Sequence, residues 1–372
     1  MAKEDSRVKK LEELQEEYSK TKYNKATNKH LGLLRAKMAG IRKAIEESRK
    51  KGGGFGFSVK KSGNATVALV GFPNAGKSSL LRLLTGVDTK VADYAFTTVE
   101  VIPGMLEYNG ANIQFLDLPG LIQGAHVGKG GGREIVSVIR VSDLILFVVD
   151  VNAIDNLYKL LDELYALNVR VNKRVPKIRI EKAVTGGILI EKGLHKVPDK
   201  ESIIECMNGF GIYNGTIIFH QDATVEDIIE IVAGNCVYIK GLTALNKIDT
   251  VSNAAAERSA RDVEARTQIP VVKISAAAGT NIDALKEEVF TKLDLLRIYL
   301  KPRDGEADMQ KPMVLNGNGT VMDVARKINS KTAKNVKFAH VTGRSAKFSN
   351  QRVGIEHRLA DKDIVTLIYD KE

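Results

Sequence analysis

Residues Thr66–Gly86 read TVALVGFPNAGKSSLLRLLTG, and this stretch decides the fold. Its opening run, TVALV, is apolar and rich in β-branched residues, as a buried strand requires, and the leucines after Ser79 recur at helical spacing. Between them stands Gly-x-x-x-x-Gly-Lys-Ser, in the strand–loop–helix setting that gives the pattern a phosphate-binding meaning. The loop Gly71, Phe72, Pro73, Asn74, Ala75, Gly76, Lys77, Ser78 and Ser79 can cradle phosphates with its backbone N–H groups. Lys77 can reach the β- and γ-phosphate oxygens, and Ser78 can hold Mg²⁺. The expected fold class is therefore α/β: a P-loop domain built on a mostly parallel sheet.

Outward from this loop the pattern repeats. The apolar runs IQFLDLPG, LILFVVD, LTALNKID and VVKISA alternate with helical stretches, as parallel strands joined by helices require. One interval is too long for a single crossover, which needs ~30 residues. It runs from Asp150 to Thr243 and holds strand-like KIRIEKA, GILIEK and GTIIFH with helical ESIIECMNGF and TVEDIIEIVAG, so a small α+β insertion is expected at about residues 168–238. NIDALKEEVFTKLDLLRIYLK reads as one long amphipathic helix closed by Pro302, ending a domain that spans 62–302. After the polar linker RDGEADMQ, residues 309–372 form a separate strand–helix–strand–strand module. Residues 1–61 read as a basic helical hairpin breaking near Asn28, followed by the glycine-rich KGGGFGFSVKKSG. Its Phe55 and Phe57, set among lysines, either meet nucleic acid or dock on the next domain.

Charge is unevenly spread. Residues 1–61 carry 17 Lys/Arg against 8 Asp/Glu and residues 309–372 carry 12 against 6, while the whole chain is only +11, so two basic ends flank a mildly acidic middle. Such ends suit a polyanionic partner bound with strong salt dependence; solvated surfaces that keep the chain soluble are the alternative. At 372 residues with 44% hydrophobic content, the chain is large enough for two or three domains with sizeable cores. No apolar run approaches the ~20 residues of a membrane span, and the N-terminus lacks the apolar core of a signal peptide. Cys206 and Cys236 are the only cysteines, which excludes a disulfide framework or a cysteine-rich zinc site and suits two reduced thiols. A cytoplasmic protein without a membrane partner is expected.

Three further segments follow the loop in a fixed order. Asp117-Leu118-Pro119-Gly120 ends a strand, so Asp117 can hold Mg²⁺ through water and the Gly120 amide can meet a γ-phosphate. Asn246-Lys247-Ile248-Asp249 ends another, and Asp249 can accept from the N1 and N2 donors of guanine. Adenine cannot supply that pair, and unpaired acceptors reject it. Ser275-Ala276-Ala277 suits the guanine O6 contact through a backbone amide. Between loop and DLPG, ADYAFTTVEVIPG supplies Phe96, Thr97 and Thr98, with Thr98 the preferred second Mg²⁺ ligand and Thr97 the fallback. Catalytic roles fall to Lys77, Asn74, Gly120 and Thr98.

GFPNAGKSSLL, DYAFTT, DLPGLIQGAHVGKGGGREIVSVIRVSDLILFVVD and NKID together resemble the Obg-related GTPases. The run GKGGGREIVSVIRVSDLIL, the insertion, the basic N-terminal helices and the C-terminal module resemble the developmentally regulated GTP-binding protein family more narrowly. GIEHRLADKDIVTLIY resembles part of a TGS domain, a ubiquitin-like β-grasp module. The resemblance implies GTP hydrolysis with Mg²⁺, K⁺ stimulation, and association with ribosomes or ribosomal RNA. It implies a slow intrinsic rate, because Leu121 stands where Ras-like switches carry the glutamine that orients water. Asn74 matches the asparagine that holds K⁺ in cation-activated relatives; a loop-capping side chain is the alternative, and many members of this family carry another small polar residue there. Gln123, where members often carry glutamate, is a second candidate for positioning water. His126 reads as a surface or structural residue. An ATP-preferring relative and an RNA-binding scaffold with incidental hydrolysis are the competing readings. A regulatory protein partner is left open, and a monomer is expected.

Overall fold

The computed structural model describes residues 2–21, 34, 37–41, 62–86, 102–118, 132–331 and 333–369. The chain divides into two compact units, one formed by Met1–Gly56 with Asn168–Tyr238 and the other by Phe57–Leu167 with Ile239–Glu372. In chain order the strands are β1 (Ala65–Val70), β2 (Ile102–Tyr108), β3 (Ala111–Asp117) and β4 (Leu144–Asp150). The insertion contributes β5 (Val169–Val171), β6 (Ile178–Lys182), β7 (Ile188–Glu191) and β8 (Gly215–Phe219). Then come β9 (Val237–Asn246) and β10 (Val271–Lys273). The C-terminal strands are β11 (Leu295–Leu300), β12 (Met313–Asn316), β13 (Val336–Thr342), β14 (Gln351–Val353) and β15 (Ile364–Tyr369).

The larger unit is built on a sheet in the order β10-β9-β4-β1-β3-β2. Every pairing on this path is parallel except β2 with β3. All six residues of β1 and the first six of β4 are buried, which is why both read as unbroken apolar runs and not as alternating ones. The helix Lys77–Thr85 buries Leu80, Leu81 and Leu84, and the helix Ile282–Leu293 buries Leu285, Val289 and Phe290, in the same core as Leu69, Phe115 and Leu146. The C-terminal ends of β1, β3, β9 and β10 thereby emerge along one edge of the sheet.

The same unit carries a five-stranded sheet in the order β12-β11-β15-β13-β14, with the helix Val321–Ile328 packed against it through Val321 and Val324. Here the structure corrects the reading of 281–301 as one helix. The helix stops at Leu293, Asp294 adopts a left-handed backbone (φ 55°), and LLRIYL continues as β11. Apolar spacing alone does not distinguish the two, because Leu293, Leu296 and Leu300 keep helical intervals while Leu296, Ile298 and Leu300 keep strand alternation. The strand wins because Leu296 and Ile298 complete the C-terminal core, so the boundary lies near Asp294 and not at Pro302.

In the other unit the helix Ala2–Lys20 and helical residues 37–41 represent the N-terminal region, with Leu34 and Met38 buried. The expected break near Asn28 and the segment with Phe55 and Phe57 lie outside the described residues. The insertion folds as a three-stranded sheet, β6-β8-β7, covered by helices Lys200–Gly209 and Val225–Ala233 over a core of Ile203, Met207, Ile217 and Ile228. A capping box, Thr224 with Asp227, starts the second helix. Glu230 on that helix is 4% exposed and receives Arg170 Nε at 2.7 Å and the Tyr238 hydroxyl at 2.7 Å. Cys206 is buried, with its thiol pushed up to about 12 chiefly by that burial, and neither cysteine is disulfide-bonded.

Candidate functional site

The phosphate-binding loop leaves β1 at Val70 and enters the helix at Lys77, with Gly76 at the N-cap in a left-handed conformation (φ 95°). A side chain at Gly71 would collide with the Val148 carbonyl, and one at Gly76 with the Asn246 amide, so both positions need glycine for close approach. Asn74 also adopts φ 62°, a conformation asparagine tolerates better than most residues, and its side chain is exposed. With Gly76 as cap, the first N–H groups of the helix are left for an anion.

Lys77 Nζ donates to the carbonyls of Gly71 at 2.9 Å and Phe72 at 3.3 Å, which folds the lysine over the loop. Burial pulls its ammonium below the usual lysine value, and the Asp117 carboxylate pulls it back up. Ser78 Oγ donates to Asp117 Oδ2 at 3.1 Å. Asp117 is 2% exposed and its other oxygen, Oδ1, is buried without a hydrogen-bond partner. Burial raises the Asp117 carboxyl above its ordinary range, against the opposing pull of Lys77 and Ser78. Such a group favours the folded state most when protonated, so this contribution is lost as pH rises through its raised value. Burial disfavours the charged form of this carboxyl, and a divalent cation beside it would offset that penalty. The hydroxyl and the orphaned carboxylate oxygen therefore fit Mg²⁺.

Asn246 joins the loop to the base-reading segments. It is 1% exposed, its Nδ2 donates to the Ala75 carbonyl at 2.8 Å, and its Oδ1 accepts from the Ala276 amide at 2.9 Å. One side chain thus fixes the P-loop against the Ser275-Ala276-Ala277 turn. Lys247 holds φ 64° and pairs with Asp150 at 2.8 Å. Burial would raise the Asp150 carboxyl, but hydrogen bonds from Lys247 and Asn152 outweigh it and hold the group low. Asp249 is exposed, and the fully buried Ser275 donates its hydroxyl to Asp249 Oδ1. Ser275 Oγ also accepts from the Ala278 amide at 3.0 Å, which anchors the carboxylate for two parallel donors from a base.

The structure therefore brings together Gly71 to Ser79, Asp117, Leu118, Asn246, Lys247, Asp249 and Ser275 to Ala277 at one edge of the sheet. Leu118 is held there by its amide, which donates to the Leu69 carbonyl at 3.3 Å. Phe96, Thr97, Thr98, Pro119, Gly120, Leu121, Gln123 and His126 lie outside the described residues. Asp150 was not singled out from the sequence, because an acidic residue at a strand end is common; its pairing with Lys247 is visible only in space. Among the described residues no group of His, Cys, Asp and Glu has the arrangement of a metal cluster. No helix among them is long and apolar enough to cross a membrane.

The chain is similar to known proteins along nearly its whole length. Residues 66–180 match the model of the 50S ribosome-binding GTPase family, 185–295 the C-terminal region of that domain, and 296–369 the TGS domain. The chain is 41% identical over 359 residues to a GTP-binding protein of Methanocaldococcus jannaschii, covering 96% of this chain and 92% of that one. It is 39% identical to developmentally-regulated G-protein 2 of Arabidopsis thaliana, covering 98% and 92%, and 40% identical to GTP-binding protein 1 of Schizosaccharomyces pombe, covering 97% and 99%. A solved G domain of the Thermotoga maritima FeoB iron transporter is 23% identical over 61% of this chain and 98% of that one, with a TM-score of 0.34. Full-length identity near 40%, the P-loop site and the C-terminal TGS domain lead to one conclusion: the chain belongs to the developmentally regulated GTP-binding protein family of GTPases.

Proposed function

We propose that this protein is a molecular switch that hydrolyses GTP to GDP and phosphate and acts on the ribosome, with Mg²⁺ required and K⁺ stimulating. The observation that carries the hydrolytic part is the Ser78–Asp117 pair beside Lys77, a hydroxyl and a half-satisfied buried carboxylate next to a half-buried ammonium. Ser78 and Thr98 would hold Mg²⁺ directly and Asp117 through water. Held there, the ion would supply positive charge against the negative charge developing on the transferred phosphoryl group. Lys77 exchanges its contacts with the Gly71 and Phe72 carbonyls for phosphate oxygens, and the loop amides with Gly120 complete the cradle.

Phosphoryl transfer of this kind depends mainly on positioned positive charge. With Leu121 at the glutamine position, that charge would be supplemented by K⁺ held at Asn74, and intrinsic turnover would be slow. Guanine would be read by Asp249, oriented by Ser275, with the Ala276–Ala277 backbone at O6. The two basic ends and the 50S ribosome-binding description of the matched family support ribosomal RNA as the partner surface. A cytoplasmic location follows from that reading.

Co-sedimentation with ribosomes tests it, comparing a non-hydrolysable GTP analogue, GDP and no nucleotide at moderate salt. Binding favoured by the GTP form is expected. Equal binding in all three states would replace the switch by a nucleotide-stabilised RNA-binding scaffold. No binding would remove the ribosome from the account.

A further inference from the structure

The hairpin made by β13 and β14 has an unusual chemistry for an exposed segment. From Val336 to Val353 it reads VKFAHVTGRSAKFSNQRV: two lysines, two arginines, a histidine and two phenylalanines, without a carboxylate. Beyond an irregularity between Val336 and Phe338, the core takes Ala339, Val341 and Val353. Strand alternation therefore turns Phe338 and His340 to the opposite face, together with Arg352, the register partner of His340. There the Arg352 guanidinium lies 4.0 Å over the centre of the Phe338 ring, and His340 meets that ring edge-on at 5.4 Å. Arg352 is exposed, as are Arg344 and Lys347 in the connecting loop, and Phe348 beside them is 64% exposed.

Protein interfaces also use aromatic rings and arginine, but two lysines and two arginines without a carboxylate along the hairpin favour a polyanion as the partner. Planar groups interleaved with positive charge, on a sheet face free of carboxylates along its hairpin, match a strand of bases and phosphates. We propose that the outward face of this hairpin binds single-stranded RNA, with the guanidinium of Arg352, held flat on Phe338, as the platform on which a base stacks. Phe348 offers a second ring, and Arg344 and Lys347 meet phosphates. This inference rests on the reading of the protein as directed to ribosomal RNA, and it assigns a location and a binding mode to that contact.

The test is fluorescence anisotropy of the full chain, loaded with GDP and Mg²⁺, on a labelled single-stranded RNA of roughly 16 nucleotides, a DNA of the same sequence and an RNA duplex. Four variants are compared: Arg352→Lys, Arg352→Glu, Phe338→Ala and Phe348→Ala, each checked for an unchanged GDP affinity and circular dichroism. Arg352→Lys keeps the charge but loses the planar face. The proposal expects single-stranded RNA to bind more tightly than duplex and at least as well as DNA. It expects Arg352→Lys and Phe348→Ala each to weaken binding about tenfold, and Arg352→Glu to weaken it further while lowering the salt slope by about one.

Loss with Arg352→Glu alone, and none with Arg352→Lys or Phe348→Ala, would overturn the stacking proposal in favour of a generic polyanion surface. Absence of single-strand binding by a chain that still sediments with ribosomes would overturn it and give the face to duplex RNA or a ribosomal protein, leaving the ribosomal reading intact. Absence of both would remove the ribosomal reading as well.

Discussion

Asn246 bears more of the site than its place in a base-recognition motif implies. From the sequence it is the first letter of Asn-Lys-Ile-Asp, beside the residue that reads the base. In space it satisfies the Ala75 carbonyl and the Ala276 amide at once, from full burial. Asn246→Ala orphans both, and each unsatisfied buried group costs about 1–3 kcal/mol. We expect a loss of about 2–4 kcal/mol in denaturant titration, with GDP affinity reduced more than tenfold because the P-loop is no longer fixed to the base-binding turn. Unchanged GDP affinity would show that the loop holds its shape by itself. Asn74 presents a different case, because its left-handed backbone already accounts for an asparagine there. Asn74→Gly keeps that backbone and removes the side chain. GDP binding near that of the wild type, with loss of the K⁺ stimulation of GTP hydrolysis relative to Na⁺, is expected. Stimulation that survives this change would assign Asn74 to loop geometry alone. The spacing of the motifs was legible because the phosphate and base chemistry demands those residue types; the Asn246 bridge and the Lys247–Asp150 pair were not, because they join segments far apart in sequence.

At the scale of elements, the insertion's strands and helices stood out in the sequence because turn residues separate short runs of distinct period. Its ion network did not. Glu230 occupies a helical position that reads as solvent-facing, yet it lies beneath Arg170, Lys173 and Tyr238. Burial would raise its carboxyl, but hydrogen bonds from Arg170 and Tyr238 outweigh that and hold it below its ordinary value. A depressed carboxyl contributes stability above its unfolded value, and that contribution fades as pH falls through the folded one. Residues 168–238 should therefore lose protection from hydrogen exchange first as the solution is acidified below about 4.5, the ordinary glutamate value. Glu230→Gln replaces the buried carboxylate that receives Arg170, Lys173 and Tyr238 by a neutral amide and should cost about 3–5 kcal/mol at neutral pH, while flattening the acid dependence of this segment. A variant as stable as the wild type, with the same acid profile, would mean that the network is neutral to folding. The β11 misreading is the converse case. There a segment with both periodicities was decided by the C-terminal core, which local sequence does not contain.

For the whole molecule, that strand decides where the chain can be divided. β11 lies inside the C-terminal sheet, antiparallel to β12 on one side and parallel to β15 on the other. Its Leu296 and Ile298 are buried with Val324, Val341 and Val365. Arg297 closes the turn into β15 with a two-pronged contact to Asp361, at 3.0 and 2.6 Å, and its guanidinium lies 5.2 Å over the Phe290 ring of the preceding helix. A fragment beginning at residue 309, where composition places the module, would lack the strand that joins β12 to the rest of the sheet. β12 would be left without its hydrogen-bond partner and the core without two of its side chains, each contributing ~1.5–3 kcal/mol by burial, which is a large share of what a domain of this size has to spare. A fragment beginning at residue 294 retains all five strands and the Arg297–Asp361 contact. We expect the longer fragment to unfold in a single cooperative transition by circular dichroism and to give dispersed amide resonances. The shorter one should show neither. If both melt alike, β11 belongs functionally to the preceding helix, and the C-terminal sheet is stable on four strands. If neither folds, the contact of Arg297 with Phe290 and the shared core around Leu293, Leu295 and Val314 make the GTPase and TGS segments one folding unit. A nucleotide-dependent change at the P-loop edge would then have a rigid body through which to reach the C-terminal sheet.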